Sequence, residues 1–334
     1  MSRDLGPSIK DQLSQVFPPQ PSFTEQDLPQ LHGKVYLITG ANTGLGKELA
    51  RMLYSKHAKV YVVARSEAKA SAAIAEIKAA APSSRGALVF IKLDLADLST
   101  IKASAQEFLQ QESRLDVLFN NAGVMKPDPP DSRTTQGYEL QLGVNNVGTF
   151  MFTKLLAPLL IATAKVEGPG SVRVVWVGSS AGELPVVPRG GVPMDNLDYH
   201  QDLWWLTKYG ISKAGNYLQG SEFARRYKAD GIISVTLNPG NLDSELWRNQ
   251  PFVIGKILKW FFLHKPINGA YTELFAGLSP EVTMEKSGAW IVPFGRFMRP
   301  RQDLKEATRT KTEGGTGIAK EFWEWNEEQI RPFL

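Results

Sequence analysis

Hydrophobic and polar positions along this chain alternate between two periods. Short, almost unbroken apolar runs such as KVYLIT (34–39), AKVYVVAR (58–65) and LDVLFNNAG (115–123) are separated by segments whose apolar residues recur at helical spacing. Strands of that kind are typical of a parallel sheet that helices cover on both faces. The pattern therefore predicts a doubly wound α/β fold, with a seven-stranded parallel sheet in a single domain.

The later part of the chain continues the alternation. The pattern predicts helices from about 134 to 164 and from about 208 to 229, and a seventh strand in GAWIVPF (288–294). Proline and polar residues at the start of the chain predict an extended arm that packs on the surface. The expected division is an N-terminal arm (1–33), the α/β domain (34–295) with a substrate lid segment (241–266), and a C-terminal helical extension (296–334).

Composition excludes several kinds of site. The chain has no cysteine, which excludes disulfides, thiolate zinc sites and a cysteine nucleophile, and its four histidines are far apart. We therefore expect no metal ion. A net charge of +4 without a run of lysines or arginines does not indicate a nucleic-acid partner. No apolar run reaches the roughly 18 residues of a spanning helix, and no signal-peptide pattern is present, so we expect a soluble, cytoplasmic protein.

Three glycines stand where the first strand gives way to a helix. The stretch LITGANTGLGKEL (37–49) contains Gly40, Gly44 and Gly46, and a helix N-terminus without side chains is suited to bind a phosphate. A purely structural turn is the alternative interpretation. The predicted nucleotide site gathers residues at the carboxyl ends of the strands: Gly40, Asn42, Thr43, Gly44, Leu45, Gly46, Asp94, Leu95, Asn120, Asn121, Ala122, Gly123, Pro239, Gly240, Leu242 and Ser244.

The end of the second strand distinguishes the two nicotinamide dinucleotides. An acidic residue there would bind the adenosine ribose, whereas an arginine would pair with a 2′-phosphate. Arg65 occupies this position and Ser66 follows it. A guanidinium offers two parallel donors to a phosphate, so the sequence favours NADP(H) over NAD(H). The alternative is an exposed arginine without a ligand.

A tyrosine and a lysine four residues apart provide the candidate chemistry. Tyr209 and Lys213, in KYGISKAGN (208–216), would lie on the same side of a helix. A nearby ammonium favours the phenolate and lowers the pKa of the tyrosine, so the pair would act as an acid and base. Ser179 could orient a carbonyl group, and Asn145 could hold a water that links Lys213 to solvent; a structural role is the alternative for Asn145.

These motifs together resemble those of the short-chain dehydrogenase/reductase family. TGANTGLG (39–46), NNAG (120–123), Asn145, Ser179, the Tyr209/Lys213 pair and NPG (238–240) occur in that family's order, and the similarity covers about residues 33–295. The subgroup that the chain resembles most contains retinol dehydrogenases and fungal NADP-dependent reductases. The resemblance implies a Rossmann fold, pro-S hydride transfer with NADP(H), and a catalytic tetrad of Ser179, Tyr209, Lys213 and Asn145, with Tyr209 and Lys213 also contacting the cofactor. It leaves the oligomeric state open, with a homodimer as one option.

Two departures from the family pattern affect the substrate side. Ser179 and Ser180 are adjacent, and we assign the catalytic role to Ser179 because it stands three residues before Gly182, as in the family's S-x-x-G. Thirty residues separate Ser179 from Tyr209, which is more than usual and implies an enlarged loop at 183–207.

Apolar and aromatic residues near the predicted catalytic tyrosine indicate the kind of substrate. Ser180, Leu184, Trp204, Trp205 and Trp247 are the predicted substrate contacts. Further apolar candidates are Val186, Val187, Tyr199, Leu246, Phe252, Ile257, Trp260 and Phe261. Such a pocket would suit a bulky apolar or aromatic carbonyl compound; packing in the core, a subunit contact, or peripheral membrane contact by residues 260–262 are the alternatives.

The expected activity is NADP(H)-dependent reduction of a ketone or aldehyde, or oxidation of the corresponding alcohol, in secondary metabolism. Two other functions remain open at this point. The first is a non-redox enzyme on the same scaffold, such as a cyclase, isomerase or dehydratase. The second is an NADP(H)-binding scaffold without turnover, which would not need Tyr209 and Lys213.

Overall fold

Eight strands form one sheet in the computed structural model, which describes residues 8–125, 129, 131–243 and 263–334. The spatial order is β3-β2-β1-β4-β5-β6-β7-β8. The strands are β1 (Val35–Thr39), β2 (Lys59–Ala64), β3 (Ala87–Lys92), β4 (Val117–Asn120), β5 (Val172–Val177), β6 (Ile232–Leu237), β7 (Trp290–Val292) and β8 (Arg296–Met298). The order reverses between β1 and β4, which opens a crevice at the carboxyl ends of these two strands.

The predicted α/β fold is confirmed, but the predicted number of strands is wrong. Strands β1 to β7 pair in parallel, whereas β8 pairs antiparallel with β7 through Trp290–Met298 and Val292–Arg296. Gly295, with φ +83°, reverses the chain between them. The three residues of β8 are half-buried and too few to show a strand period, so the sequence pattern did not distinguish them from the extension at 296–334.

Helices cover both faces of the sheet. The helices are α1 (Ile9–Val16), α2 (Gly44–Ser55), α3 (Glu67–Ala80), α4 (Leu98–Gln111), α5 (Leu140–Leu142), α6 (Thr149–Glu167), α7 (Trp205–Tyr227), α8 (Pro266–Leu278), α9 (Gln302–Thr308) and α10 (Ile318–Ile330). One face carries α2, α3 and α8, whose apolar residues pack with Ile38, Val62 and Val235. The other carries α4, α6, α7 and α10, which enclose Leu37, Tyr61 and Trp176.

The helix predicted from about 134 begins later and contains a wide turn. Residues Arg133 and Glu139 form an isolated antiparallel bridge, and the Thr134 amide donates to the Tyr138 carbonyl at 2.9 Å, so this stretch closes a turn. The single turn of α5 continues into a π-helical segment, Gly143–Gly148, and then into α6. Asn145 lies in that π-helical segment, a type of helix that is rare and often found at functional sites.

The run from Leu140 to Glu167 is also apolar enough to cross a membrane, with a mean hydropathy of 1.6 over its best window. Polar residues interrupt its apolar stretches, so the criterion of an uninterrupted apolar run did not predict this candidate. In the structure 67% of that window is buried inside the protein, where Phe150, Leu156 and Leu160 belong to the core. Within the described residues this is the one such helix, and its burial indicates a core helix.

The N-terminal arm was predicted to be extended, but part of it is helical, because residues Ile9–Val16 form α1. Ser8 and Asp11 make a capping box: the Ser8 hydroxyl accepts from the Asp11 amide at 3.1 Å, and the Asp11 carboxylate accepts from the Ser8 amide at 2.9 Å. The Arg296 guanidinium of β8 donates to the Ser14 carbonyl at 2.9 Å. The arm is thus fixed to the edge of the sheet where the last strands lie.

A carboxyl group is buried in the middle of α8. Glu273 is fully buried, and neither of its carboxylate oxygens has a hydrogen-bond partner among the described residues. Burial raises the pKa of Glu273 to about 8 because an unpaired carboxylate is poorly solvated there. At neutral pH the folded protein therefore holds this group protonated, whereas the unfolded chain ionises it.

We expect Glu273→Gln to change the pH dependence of stability. Between about pH 4.5 and 8 the unfolded wild type loses the proton and the folded wild type keeps it, so wild-type stability falls by about 1.4 kcal/mol per pH unit from this group. The variant lacks that loss. Urea unfolding at pH 5, 6.5 and 8 measures the free energy of unfolding of both proteins. The value for the variant should rise steadily relative to that of the wild type as the pH increases.

The exposed Glu281→Gln variant, which changes the same chemical group three residues beyond the end of α8, is the matched control. If the free energy of unfolding of Glu273→Gln differs from that of the wild type by the same amount from pH 5 to 8, Glu273 is ionised in the folded protein.

Candidate active site

A cleft of about 2480 Å³ runs along the carboxyl ends of the strands. This volume exceeds the roughly 300–1,000 Å³ of a typical small-molecule pocket, so the cleft has room for a dinucleotide and a second molecule. Most of the predicted cofactor residues line it: Gly40, Asn42, Thr43, Gly44, Leu45, Arg65, Ser66, Asp94, Leu95, Asn121, Ala122, Gly123, Pro239, Gly240 and Leu242. Ser244 and Trp247 lie outside the described residues, as do Leu246, Phe252, Ile257, Trp260 and Phe261.

The glycine-rich turn closes tightly against the end of β4. Gly40 has φ +70°, and a Cβ on it would lie 3.0 Å from the Ala122 Cα. A Cβ on Gly46 would lie 2.6 Å from the Asn121 side-chain nitrogen, which itself donates to the Thr39 carbonyl at 2.7 Å. The glycines therefore allow β1, α2 and the β4 loop to meet closely.

The first turn of α2 is open to an anion. Helix α2 begins at Gly44, and its N-cap residue Thr43 makes no side-chain capping bond. No acidic residue lies in that first turn. The amide groups at the start of α2, together with the positive end of the helix dipole, are therefore available to a phosphate. Such donors suit a pyrophosphate, and its binding by the residues of this turn stays a prediction.

Basic and polar groups follow the end of β2 on the same wall. Arg65 is exposed and lines the cleft directly after the strand. Ser66 caps α3 by accepting from the Lys69 amide at 3.4 Å, and Lys69 also lines the cleft. Lys69 is not among the residues predicted from the sequence, although its position four residues after Arg65 was the available signal.

Tyr209 and Lys213 lie in the first turns of α7, with only 6% and 5% of their surfaces exposed. Burial raises the pKa of Tyr209 to about 12, while its hydrogen bond with Ser179 acts in the opposite direction. Burial also lowers the pKa of Lys213 to about 8. The structure thus places Ser179, at the end of β5, beside the phenol; Ser180 also lines the cleft.

The predicted lowering of the Tyr209 pKa by Lys213 does not hold for the protein alone. The Lys213 ammonium nitrogen lies 5.8 Å from the centroid of the Tyr209 ring and donates to the Val177 carbonyl at 2.8 Å. Desolvation of the phenol outweighs any attraction at that distance. Near pH 7 the site therefore combines a neutral phenol with a lysine that is mostly protonated.

A residue that the sequence analysis missed joins Lys213 to Asn145. The Asn216 side-chain oxygen accepts from the Lys213 ammonium at 3.4 Å, and its nitrogen donates to the Asn145 carbonyl at 2.6 Å. Asn216 is one turn beyond Lys213 on α7, and this i, i+3 spacing was the only sequence signal. The Asn216 amide therefore bridges the two residues directly, and the water by which Asn145 would link Lys213 to solvent stays a prediction.

The side chain of Asn145 binds the loop after β4. Its oxygen accepts from the Val124 amide at 2.8 Å, and its nitrogen donates to the Val124 carbonyl at 3.0 Å and to the Ser212 hydroxyl at 2.9 Å. The side chain of Asn145 therefore fixes the loop that follows NNAG, while its main-chain carbonyl receives Asn216.

The substrate side differs from the prediction. Trp204 is 60% exposed and packs edge-on against Trp205, with ring centroids 5.6 Å apart, and neither residue lines the cleft. The start of α7 turns Leu206 toward the cleft instead. Leu184 and Val187 line it as expected, whereas Tyr199 is packed in the core and Val186 is exposed. Apolar residues missed by the prediction also line this part of the cleft: Val124, Met125, Leu140, Val144, Phe297 and Met298.

Comparisons with known proteins identify the family and the fold. A family model described as short chain dehydrogenase matches residues 34–190. A short-chain dehydrogenase/reductase of Phomopsis amygdali is 57% identical over 332 residues, which span 98% of this chain and 98% of that protein.

Solved structures show the same fold. A 3-ketoacyl-(acyl-carrier-protein) reductase of Brucella melitensis complexed with NADH is 23% identical with a TM-score of 0.60, and the match covers 79% of this chain and 98% of that one. An NADPH-bound carbonyl reductase from chicken fatty liver is 21% identical with a TM-score of 0.60, and the match covers 80% of this chain and 100% of that one. Because the sequence identity to the Phomopsis amygdali protein extends over nearly the whole chain, the chain belongs to the short-chain dehydrogenase/reductase family. Members of this family are oxidoreductases that use NAD(H) or NADP(H) on CH–OH and C=O groups of small molecules.

Proposed function

We propose that the protein is an NADP(H)-dependent reductase of ketones or aldehydes that carry bulky apolar or aromatic groups. The observation that carries the proposal is the buried phenol of Tyr209, which keeps its proton at neutral pH and lies on the cleft beside Ser179. A neutral phenol is a proton donor, and reduction of a carbonyl requires a proton at the carbonyl oxygen.

Each residue of the site has a defined task in this proposal. The nicotinamide group, when bound, supplies the hydride for reduction and accepts it for oxidation. Tyr209 gives its proton to the substrate oxygen, and Ser179 donates a hydrogen bond that holds this oxygen as charge develops on it. Lys213 keeps a positive charge next to the reacting region and can bind ribose hydroxyls. Asn216 and Asn145 hold Lys213 and the loop at Val124 in place.

The preference for NADP(H) rests on the wall after β2. Arg65, Ser66 and Lys69 supply a guanidinium, a hydroxyl and an amine on one side of the cleft, a set that suits a 2′-phosphate better than ribose hydroxyls. Solved structures of the same fold include one with NADH and one with NADPH, so they favour neither dinucleotide.

The apolar character of the proposed substrate rests on the part of the cleft near Tyr209. Leu206, one turn before Tyr209 on α7, lines the cleft, as do Val124, Leu140, Val144 and Leu184. Side chains of this kind exclude water from the reacting carbonyl and contact an apolar ring system.

A binding role without turnover would leave the intact set of Ser179, Tyr209 and Lys213 without a purpose. A non-redox activity would use these groups as acid and base but would not use the hydride of the cofactor. Secondary metabolism, a cytoplasmic location and a homodimer stay predictions.

Replacing Tyr209 with phenylalanine should abolish turnover. The change removes one hydroxyl group, so NADPH consumption with any ketone substrate should fall at least about 100-fold, the usual contribution of general acid catalysis. The dissociation constant of NADPH, measured by fluorescence titration, should stay within about twofold. Turnover close to that of the wild type would assign proton donation to another group.

Replacing Arg65 with alanine should weaken NADPH binding far more than NADH binding. Loss of a charge-assisted hydrogen bond to a phosphate corresponds to a roughly 10- to 100-fold increase in the NADPH dissociation constant. Arg85→Ala, an exposed arginine that does not line the cleft, is the matched control. Equal weakening of both dinucleotides by Arg65→Ala would contradict a 2′-phosphate contact.

The rate of carbonyl reduction should fall at alkaline pH. Lys213, whose pKa burial lowers to about 8, is protonated below that pH and loses its charge above it. Tyr209 keeps its proton over the same range, so we expect kcat/KM to be level from pH 6 to 7.5 and to fall above pH 8. In Asn216→Leu the ammonium loses an acceptor, and the fall should begin at lower pH. Identical pH profiles for the two proteins would exclude a contact between Asn216 and the charged lysine.

A further inference from the structure

Helix α1 presents its polar side to the cleft. Four polar residues, Ser8, Asp11, Gln12 and Gln15, line the cleft together with Val16, whereas Leu13 and Phe17 on the opposite side are 56% and 62% exposed. A surface helix normally turns its apolar side toward the protein. The reversed orientation means that this wall of the cleft offers hydrogen bonds to whatever occupies it.

Gln15 fixes α1 between the two loops that flank the catalytic residues. It is 6% exposed; its side-chain oxygen accepts from the Asn238 amide at 2.9 Å, and its nitrogen donates to the Glu183 carboxylate at 3.2 Å. Asn238 directly precedes the Pro239–Gly240 turn of the predicted cofactor site, and Glu183 is four residues beyond Ser179. The polar side of α1 therefore lies close to the substrate end of the cleft.

The arginines next to α1 already have partners within the protein. Arg296 donates to the carbonyls of Pro293 and Ser14. Arg301 donates to the Asp303 carboxylate at 2.6 and 2.8 Å and to the carbonyls of Leu184 and Pro188, each at 2.8 Å. Their hydrogen bonds are largely satisfied, so neither is placed to receive a carboxylate.

Gln12 differs from these groups. Its side chain lines the cleft and has no hydrogen bond to another described residue. A primary amide both donates and accepts, as an alcohol or phenol does, so the two groups are complementary.

We propose that Gln12 is a specificity-determining residue that binds a hydroxyl group of the substrate remote from the reacting carbonyl. The substrate class is then a bulky, ring-containing ketone or aldehyde that is apolar around its carbonyl and bears an alcohol or phenol at its far end. The assignment rests on the proposed reductase function for the position of the carbonyl. The hydroxyl contact itself does not depend on turnover.

The test uses two- and three-ring aromatic ketones, a tetralone and a dihydroanthracenone. Each is assayed unsubstituted, with a hydroxyl group, and with a carboxylate on the ring far from the carbonyl. Wild type, Gln12→Leu and Leu13→Gln are compared, the last as the control on the exposed side of the same helix. For at least one ring system, wild type should favour the hydroxylated ketone by roughly three- to tenfold in kcat/KM.

In Gln12→Leu this preference should disappear through a higher KM for the hydroxylated ketone alone, and Leu13→Gln should retain it. A preference that survives in Gln12→Leu, or no preference in the wild type, would overturn the proposal. So would a preference for the carboxylate that is lost in Arg189→Gln, an exposed arginine of the same cleft.

Calorimetric binding of the same ketones to the protein saturated with NADP⁺ separates the two proposals. If no ketone is reduced but the hydroxylated member binds more tightly, and does so through Gln12, the reductase function fails and the hydroxyl contact stands. Equal binding of all members by the wild type refutes the contact whether or not turnover occurs.

Discussion

The buried ammonium group of Lys213 requires hydrogen-bond acceptors from several elements of the structure. Lys213 is held at the carboxyl end of β5 by the Val177 carbonyl, and Asn216 connects it to the π-helical segment that contains Asn145. A charge removed from water needs such partners, because desolvation alone would favour the neutral amine. The spacing of α7 against β5, the wide turn before α6 and the position of the Val124 loop all follow from satisfying these few polar groups.

The sequence was sufficient for the parts of the fold and site that depend on local patterns. The apolar strands, the glycine turn before α2 and the i, i+4 pair on α7 each depend on residues within one element, and periodicity alone locates them. Arg65 was found in the same way, because its position at the end of β2 is set by the strand that precedes it.

The missed features depend on contacts between residues far apart in the chain. Asn216 is significant only because Asn145, 71 residues earlier, lies next to it. The role of α1 depends on Asn238 and Glu183, which are 223 and 168 residues away from Gln15. The prediction that Trp204 and Trp205 contact the substrate was wrong for a related reason. The angle at which α7 begins decides which of three neighbouring residues faces the cleft, and hydrophobicity does not encode that angle.

One part of the cleft lining comes from two distant parts of the chain, residues 8–16 and 296–303, joined by contacts such as Arg296 with Ser14, 282 residues apart. Contacts of such long sequence separation form late in folding, because closing a long loop costs entropy before the contact is gained. Most of the predicted nucleotide-binding residues instead follow β1 to β4, with Pro239, Gly240 and Leu242 after β6 as the exceptions. One consequence of the proposed Gln12 contact is evolutionary: substitutions in residues 8–16 would change which substrates bind, while Tyr209 and Lys213 on α7 stay the same.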